Sequence, residues 1–354
     1  MAIDTERIKQ QRAIADVVEQ HGVELRRSGG RLSGRCPFHA DDSPSLVVYP
    51  ETRSFYCFGC GAGGDVIDFV RRAEGLGFRE ALERLGSGPG AEAPTPRRTS
   101  AARPAPVRRL SLDDRLMLSA ASELYHETLL RTPEALRYLE GRGIPPWVAR
   151  ECRLGISDGE RLAPYLKRRR LSLKRAGELG LLFGGDGETM SGRLVVPELR
   201  GAHCAWMVGR SLDDALQPKY RGLALPKPLL GTERVRRRQR VFVTEGPFDW
   251  LTAVSWGLPA CALLGTQLRP GALRFLDRAR SVVFVLDTDQ AGRDAAARLA
   301  AAVGDRAIVL HLPDGVKDLN ELGTLPGGRE NFFQLLDEAQ QARRKEPADA
   351  ATTR

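Results

Sequence analysis

The chain has 354 residues, more than one ordinary hydrophobic core holds, so two or three domains of roughly 100–200 residues are expected. Its formal net charge of +9 and pI near 9.5 favour an acidic partner, nucleic acid first, because clustered Lys and Arg attract phosphate over long range. No stretch approaches the roughly 20 apolar residues of a membrane span, Met1 to Gln10 carries no apolar signal core, and six cysteines in this length argue against a secreted disulfide framework, so a cytoplasmic protein is expected.

In chain order, residues 1–86 form a first module. A helix is predicted over Glu6 to His21, then a cysteine-rich segment, then two short helices after Asp65 and Phe78. Cys36 and His39 are separated by two residues, seventeen residues follow before Cys57, and two more separate Cys57 from Cys60. Two such knuckles fit a closed tetrahedral Zn²⁺ site of thiolate and imidazole ligands, which leaves no open coordination position and is therefore structural. The insert PSLVVYPETRSFYC reads as two strands around a Pro-Glu-Thr turn that brings the knuckles together. Glycines 59, 61, 63 and 64 give the second knuckle freedom to wrap metal. Tyr49, Phe55, Tyr56 and Phe58, interleaved with Arg31, Arg35 and Arg53, could stack bases and bind phosphate, although in so small a module at least half of those aromatics should be core. Cys152, Cys204 and Cys261 stand in isolated apolar contexts and read as small buried residues.

Residues 87–110, rich in Pro, Gly and Ala, read as a flexible linker. Residues 111–235 read as a mixed α+β subdomain: helices over Leu112–Arg131, Pro133–Glu140 and Pro146–Cys152, then strands around Arg193–Val196 and His203–Val208. From 236 to 328 the short apolar runs VFVT, PACALL, SVVFVL and AIVLHL alternate with helix-length segments, the pattern of a Rossmann-like βαβ domain with a largely parallel sheet. One further helix, about Glu330 to Arg344, and a polar tail fill 329–354.

Three of those strands end in acids. Glu245 follows VFVT, Asp287 and Asp289 follow SVVFVL, and Asp318 lies in KDLNEL past the next strand. Open α/β sheets build their sites at this edge. Such crowding repels without a cation, so the hard oxygen ligands suit Mg²⁺ or Mn²⁺. Asp249, Asp294 and Asp314 read instead as helix caps or surface residues.

The motifs CPFHADDSPSL and FYCFGCGAGGDVIDFV resemble the zinc-binding domain of bacterial DnaG-type primases, with Cys36, His39, Cys57 and Cys60 on that family's ligand positions. The Glu of EG, the later DxD pair and a further acid resemble the Toprim domain that such primases share with topoisomerases and some nucleases. ALRYLEGRGI, SGRLVVPEL, VGR and PKY are similar to the primase polymerase core. This resemblance implies Arg193, Arg210, Lys219, Tyr220 and Lys227 as binding residues for nucleic acid or nucleotide. It also implies a nucleotidyltransferase that makes RNA primers on a single-stranded DNA template from ribonucleoside triphosphates, with a replicative helicase on a separate chain as a further partner. KDLNEL carries Asn320 where the family usually has a second aspartate, and no GxxxxGK[ST] motif occurs, so no P-loop helicase activity is expected. The resemblance is to a short form, without the family's C-terminal helicase-binding domain. The rival readings are a Toprim nuclease or topoisomerase-like enzyme, revealed by DNA cleavage without nucleotides, and a non-catalytic zinc-containing DNA-binding accessory protein, revealed by failure to incorporate ribonucleotides.

Overall fold

In a computed structural model of the chain, the described residues are 5–28, 30–38, 41, 44–57, 62–76, 78–86, 110–183, 185–213, 218–235, 238–265 and 274–352. The expected linker, and the expected ligands His39 and Cys60, lie outside them. Among the described residues no helix is long and apolar enough to cross a membrane.

The single helix expected near the N-terminus is two: α1 (Thr5–Gln11) and α2 (Ile14–Gln20). Ala13 is extended between them (φ −63°, ψ 125°), and Arg12 Nε donates to the carbonyl of Leu85 at 3.0 Å. The break lets Ile8 and the buried face Ile14, Val17 and Val18 enter one core, which an unbroken helix of this sequence does not offer. Five antiparallel strands follow in sequential order: β1 (Arg26–Ser28), β2 (Arg31–Gly34), β3 (Leu46–Tyr49), β4 (Ser54–Cys57) and β5 (Gly63–Asp65). The β3–β4 hairpin pairs Leu46 with Cys57 and Tyr49 with Ser54, and its turn closes through the Arg53 N–H on the Pro50 carbonyl at 3.2 Å. Asp65 then caps α3 (Val66–Glu74), accepting from the N–H groups of Ile67 and Asp68 at 2.9 and 3.1 Å. Helix α4 (Phe78–Gly86) completes the layer. Phe55 and Phe69, both fully buried, meet edge to face at 5.2 Å in the middle of this core.

The middle of the chain carries α5 (Leu112–Leu130), α6 (Pro133–Gly141), α7 (Pro146–Glu151), β6 (Gly155–Ile156), α8 (Leu162–Arg168), α9 (Leu173–Leu179), the hairpin strands β7 (Leu182–Phe183) and β8 (Gly187–Glu188), and then β9 (Arg193–Arg200), β10 (His203–Ser211), β11 (Tyr220–Gly222) and α10 (Thr232–Val235). Proline at the first position of α6 and α7 costs no hydrogen bond there and presets the helical φ. The last part alternates β12 (Arg240–Thr244), α11 (Pro247–Ser255), β13 (Ala260–Ala262), β14 (Ser281–Val285), α12 (Gln290–Val303), β15 (Ala307–Val309), α13 (Leu319–Thr324) and α14 (Gly328–Thr352). Helix α14 therefore runs past the expected end at Arg344.

By contact density the chain forms two compact units. The first comprises Met1–Ala121, Ser157–Val195 and Trp206–Lys227, and the second comprises Ser122–Ile156, Val196–Ala205 and Pro228–Arg354. The first holds the antiparallel sheet and its helices. The second is built on a four-stranded, all-parallel sheet in the order β13-β12-β14-β15. Its strands are apolar on both faces: Val241, Val243, Cys261, Val282 and Phe284 pack with Ala295, Leu299 and Val303 of α12 on one, and Phe242, Val283 and Val285 are buried on the other, where the Phe242 ring meets Phe332. The architecture is thus multidomain α/β: an N-terminal antiparallel-sheet module, a mixed α+β subdomain and a Rossmann-like βαβ domain with a parallel sheet.

Candidate active site

In the parallel sheet β12 lies between β13 and β14, so the chain winds one way from β12 to β13 and the other way from β14 to β15. The crevice outside the carboxyl ends of β12 and β14 is where such a sheet leaves room for a ligand. Glu245 is the first residue beyond β12, and its carbonyl accepts from the Leu264 N–H at 2.9 Å. Asp287 and Asp289 lie just beyond β14, and Asp289 caps α12 by accepting from the Gly292 N–H at 2.8 Å. Gly292 is required here, because a Cβ at that position would run into the Asp287 carbonyl oxygen. Thr288 fastens this loop to the one carrying Asp318: its N–H donates to Lys317 O at 2.8 Å and its hydroxyl to Val316 O at 2.9 Å. Asp318 in turn caps α13 through the Glu321 N–H at 2.7 Å. The helix caps and the strand ends thus hold all four acids at one edge.

A fifth acid joins them, as a correction to the sequence expectation of a cap or surface residue. Asp249 does cap α11, its Oδ2 accepting from the Gly246 N–H at 3.0 Å, yet it is buried, and its Oδ1 accepts from the Asn320 N–H at 3.0 Å. The signal lies in the spacing of EGPFDW, which returns Asp249 to the side of Glu245 after one helical turn. Asn320 is itself almost fully buried. Its Nδ2 donates to Arg142 O at 2.8 Å and Thr252 Oγ1 at 3.0 Å, so its amide supports the acids from beneath.

Electrostatically the cluster is overcrowded. Burial pushes the Glu245 carboxyl up to about 7, helped by Asp289 and Asp249 and opposed by a hydrogen bond from the Asp287 backbone. Burial also pushes Asp287 up to about 7, followed by the charges of Glu245, Asp318 and Asp289, with Lys317 opposing. Asp249 is raised by burial and then by Asp318 and Asp287. Glu245 Oε2 is buried and accepts no hydrogen bond. A buried, unpartnered carboxylate oxygen among mutually repelling acids fits a hard divalent cation. Among the described residues no three acid, histidine or cysteine side chains converge closely enough to hold an ion as they stand.

In the first unit, Cys36 and Cys57 are buried thiols without a disulfide. Asp41 organises the first knuckle: its Oδ2 accepts from the Cys36 N–H at 2.7 Å and from the Ser45 hydroxyl at 2.8 Å, and that hydroxyl lies 3.2 Å from Cys57 Sγ. The Cys57 N–H donates to Ala62 O at 2.7 Å. This donor set suits zinc. Of the aromatics considered for base stacking, Tyr49, Phe55 and Tyr56 are buried, and Phe58 lies outside the described residues. Tyr56 spends its hydroxyl accepting from the Gly222 N–H at 2.7 Å.

The expected basic residues divide in two. Arg193 is only 1% exposed, and its Nη1 donates to Pro218 O at 2.8 Å and Lys219 O at 3.3 Å. Burial and the neighbouring Arg221 lower it to about 10, so it holds the PKY turn from inside and does not face solvent. Arg210 is also buried, with its guanidinium 5.9 Å from the Tyr220 ring centroid across the β10–β11 pair. Lys219 is exposed, and Tyr220 and Lys227 are half-buried.

Comparison with known proteins agrees with this geometry. A family model described as CHC2 zinc finger matches residues 2–100, and one described as Toprim-like matches residues 242–323. The DNA primase of Pseudomonas putida is 34% identical over 336 residues, covering 85% of this chain and 50% of that protein. The DNA primase of Aquifex aeolicus is 30% identical over 338 residues, covering 89% of this chain and 65% of that one. The chain spans about half the length of the first of these relatives. Among solved structures, the zinc-binding and RNA polymerase domains of the Aquifex aeolicus primase superpose with a TM-score of 0.57 at 28% identity, over 96% of this chain and 86% of that one. The RNA polymerase domain of Mycobacterium tuberculosis primase DnaG, in complex with a double-stranded DNA oligomer with a 6-nucleotide overhang, gives a TM-score of 0.53 at 25% identity over 63% of this chain and 78% of that one. A zinc module followed by a Toprim sheet, and identity to bacterial primases along most of the sequence, make this chain a member of the DnaG-type DNA primase family.

Proposed function

We propose that the chain synthesises short RNA primers on single-stranded DNA by metal-dependent nucleotidyl transfer from ribonucleoside triphosphates, in the cytoplasm. The observation that carries this reading is the set of half-buried, mutually raised carboxylates at the reversal point of the parallel sheet, with Glu245 Oε2 unpartnered. Glu245, Asp287, Asp289 and Asp318 are the residues that would hold Mg²⁺ or Mn²⁺. When bound, such an ion offsets negative charge on the triphosphate and on the oxygens that gain charge as a 3′-hydroxyl attacks the α-phosphorus and pyrophosphate leaves.

The chain's own residues do the rest. Asp249 and Asn320 brace the acids from below, and the Thr288 bonds keep the Asp287 and Asp318 loops in register. Lys219, Tyr220 and Lys227 form the proposed face for template and nucleotide, with the buried Arg210 backing the Tyr220 ring and Arg193 ordering the turn. Its support is the likeness to a primase domain solved with DNA. Cys36, His39, Cys57 and Cys60 hold a structural Zn²⁺. A replicative helicase on a separate chain is the proposed protein partner.

The test is Asp287→Ala. Ribonucleotide incorporation on a single-stranded template should fall by about a thousandfold, the scale of losing a metal-anchoring carboxylate, while zinc content and circular dichroism stay unchanged. Full retention of synthesis overturns the assignment. Cleavage of labelled DNA by the wild-type chain with metal and no nucleotides would favour a nuclease instead.

A further inference from the structure

The first unit contains a cavity of about 540 Å³ that neither the zinc knuckles nor the PKY turn uses. Arg71 and Arg72 of α3 and Lys174 of α9 stand on its wall, Leu76 and Leu173 give it an apolar floor, and Phe183 of the β7–β8 hairpin faces it. Phe183 is 45% exposed, which is unusual for a large aromatic on a tightly held element. The hairpin is firmly seated. Leu182 is buried, and the buried Glu188 accepts from the Ser157 hydroxyl and the Leu162 N–H, both at 2.5 Å. The Phe183 ring lies against Gly187, where a Cβ would stand 2.9 Å from its Cζ, so a larger residue there would displace the ring from the backbone it rests on. The fold therefore presents an aromatic ring to solvent beside three cations.

We propose that this cavity is a single-stranded nucleic-acid subsite, in which one unpaired base stacks on Phe183 and the adjoining phosphate is held by Arg72 and Lys174. The proposal rests on the template-binding reading above and adds to it a contact away from the acids and the PKY turn. The volume lies within the range of small-ligand pockets, and so accommodates one nucleotide and not a paired, stacked duplex. Charge favours phosphate: the one lining carboxylate, Asp68, is engaged by Arg71 Nη1 at 3.4 Å, while Arg72 and Lys174 are exposed. An aromatic ring paired with cations is the sequence-tolerant way to hold unpaired strands, because every base has a π-face. Since α3 belongs to the zinc module and the hairpin to the subdomain after the linker, a strand bound here would touch both.

The experiment uses the full zinc-loaded chain and a fluorescein-labelled single-stranded oligodeoxynucleotide followed by anisotropy. Phe183→Ala should weaken binding about tenfold, within the span measured for single base–aromatic stacks, and Phe183→Trp should stay within about twofold of wild type. Primer synthesis at saturating template should be unchanged in both. Photo-crosslinking with 5-iodouracil DNA should label the wild-type peptide carrying Phe183. Equal binding by wild type and Phe183→Ala, equal weakening by Ala and Trp, or crosslinks confined to other peptides would each overturn the subsite and leave primer synthesis standing. A wild-type chain that binds no single-stranded DNA would bring down both readings together.

Discussion

The two proposed metal sites are opposites in construction. Cys36 and Cys57 are buried within the apolar core of Leu46, Val48, Phe55 and Phe69, and the chain around them is tied by Asp41 and Ser45. Glu245 and Asp287 are only partly covered, stand at the edge of a sheet that is complete without them, and repel one another. Soft ligands sunk in a core make the metal part of folding, whereas hard ligands on a finished scaffold leave it free to exchange with substrate. The contrast predicts that removing each metal will fail in a different way.

The largest effect belongs to zinc. Structural zinc in small modules contributes on the order of 10 kcal/mol, more than a core of this size supplies alone. Stripping zinc with a chelator, or Cys57→Ala, should abolish hydrogen-exchange protection across β2 to β5 and leave β12 and β14 protected. Loss of protection in both sheets, or in neither, would erase the distinction between the sites. Withholding Mg²⁺ from the zinc-loaded chain, with no chelator added, should leave both sheets protected and stop only synthesis.

A smaller effect tests whether the acid edge depends on close backbone packing. Gly292→Ala places a methyl group against the Asp287 carbonyl, so either α12 or the acid loop must move. Overpacking of this kind costs about 3 kcal/mol. Thermal melting of the second unit should drop by several degrees, and primer synthesis should fall more than the stability loss explains, because the displaced element is the one that carries Asp287 and Asp289. Unchanged melting and synthesis in the Gly292→Ala chain would mean that the loop tolerates far looser packing than its geometry indicates.

Much of this was legible in the sequence, for a physical reason. Cysteine and histidine spacing reports local chain reach, and an acid directly after a both-sides-apolar run must emerge at a strand end, so Cys36, Cys57, Glu245 and Asp287 could be located without coordinates. What was not legible depends on packing between distant segments. The EGPFDW spacing puts Asp249 near Glu245, but its burial under α13, where the Asn320 N–H donates to it, is a contact between distant segments. Arg193 reads as a surface base but lies in a strand buried on both faces, where its guanidinium satisfies the PKY turn. The break after α1 has no Gly or Pro to announce it and follows from the demand that Ile8 and Ile14 share a core.

The smallest effect is a pH dependence of opposite sign to that of an ordinary carboxylate. Glu245 and Asp287 ionise near 7 in the folded chain and near their usual 4.5 and 3.8 when unfolded. Between about pH 4 and pH 7 the unfolded chain has therefore already released protons that the folded chain keeps, so the metal-free second unit loses stability as pH rises through that window and is flat above it. The loss should be on the order of 2 kcal/mol, since the shifts are partly shared between the two acids. Urea melts of the zinc-loaded chain kept free of Mg²⁺, followed by exchange of β12 and β14 amides corrected for intrinsic rates, should show this decline. Millimolar Mg²⁺ at pH 8 should restore what was lost, and Glu245→Gln should restore part of it without metal while depressing synthesis. The thiolate module supplies the internal control: with zinc bound, its sheet should gain stability over the same window as competing protons leave the ligands. Opposite slopes in one chain would separate the two kinds of site in a single titration, and a metal-free acid edge that grew more stable from pH 4 to 7 would show that its carboxylates are already neutralised by the protein.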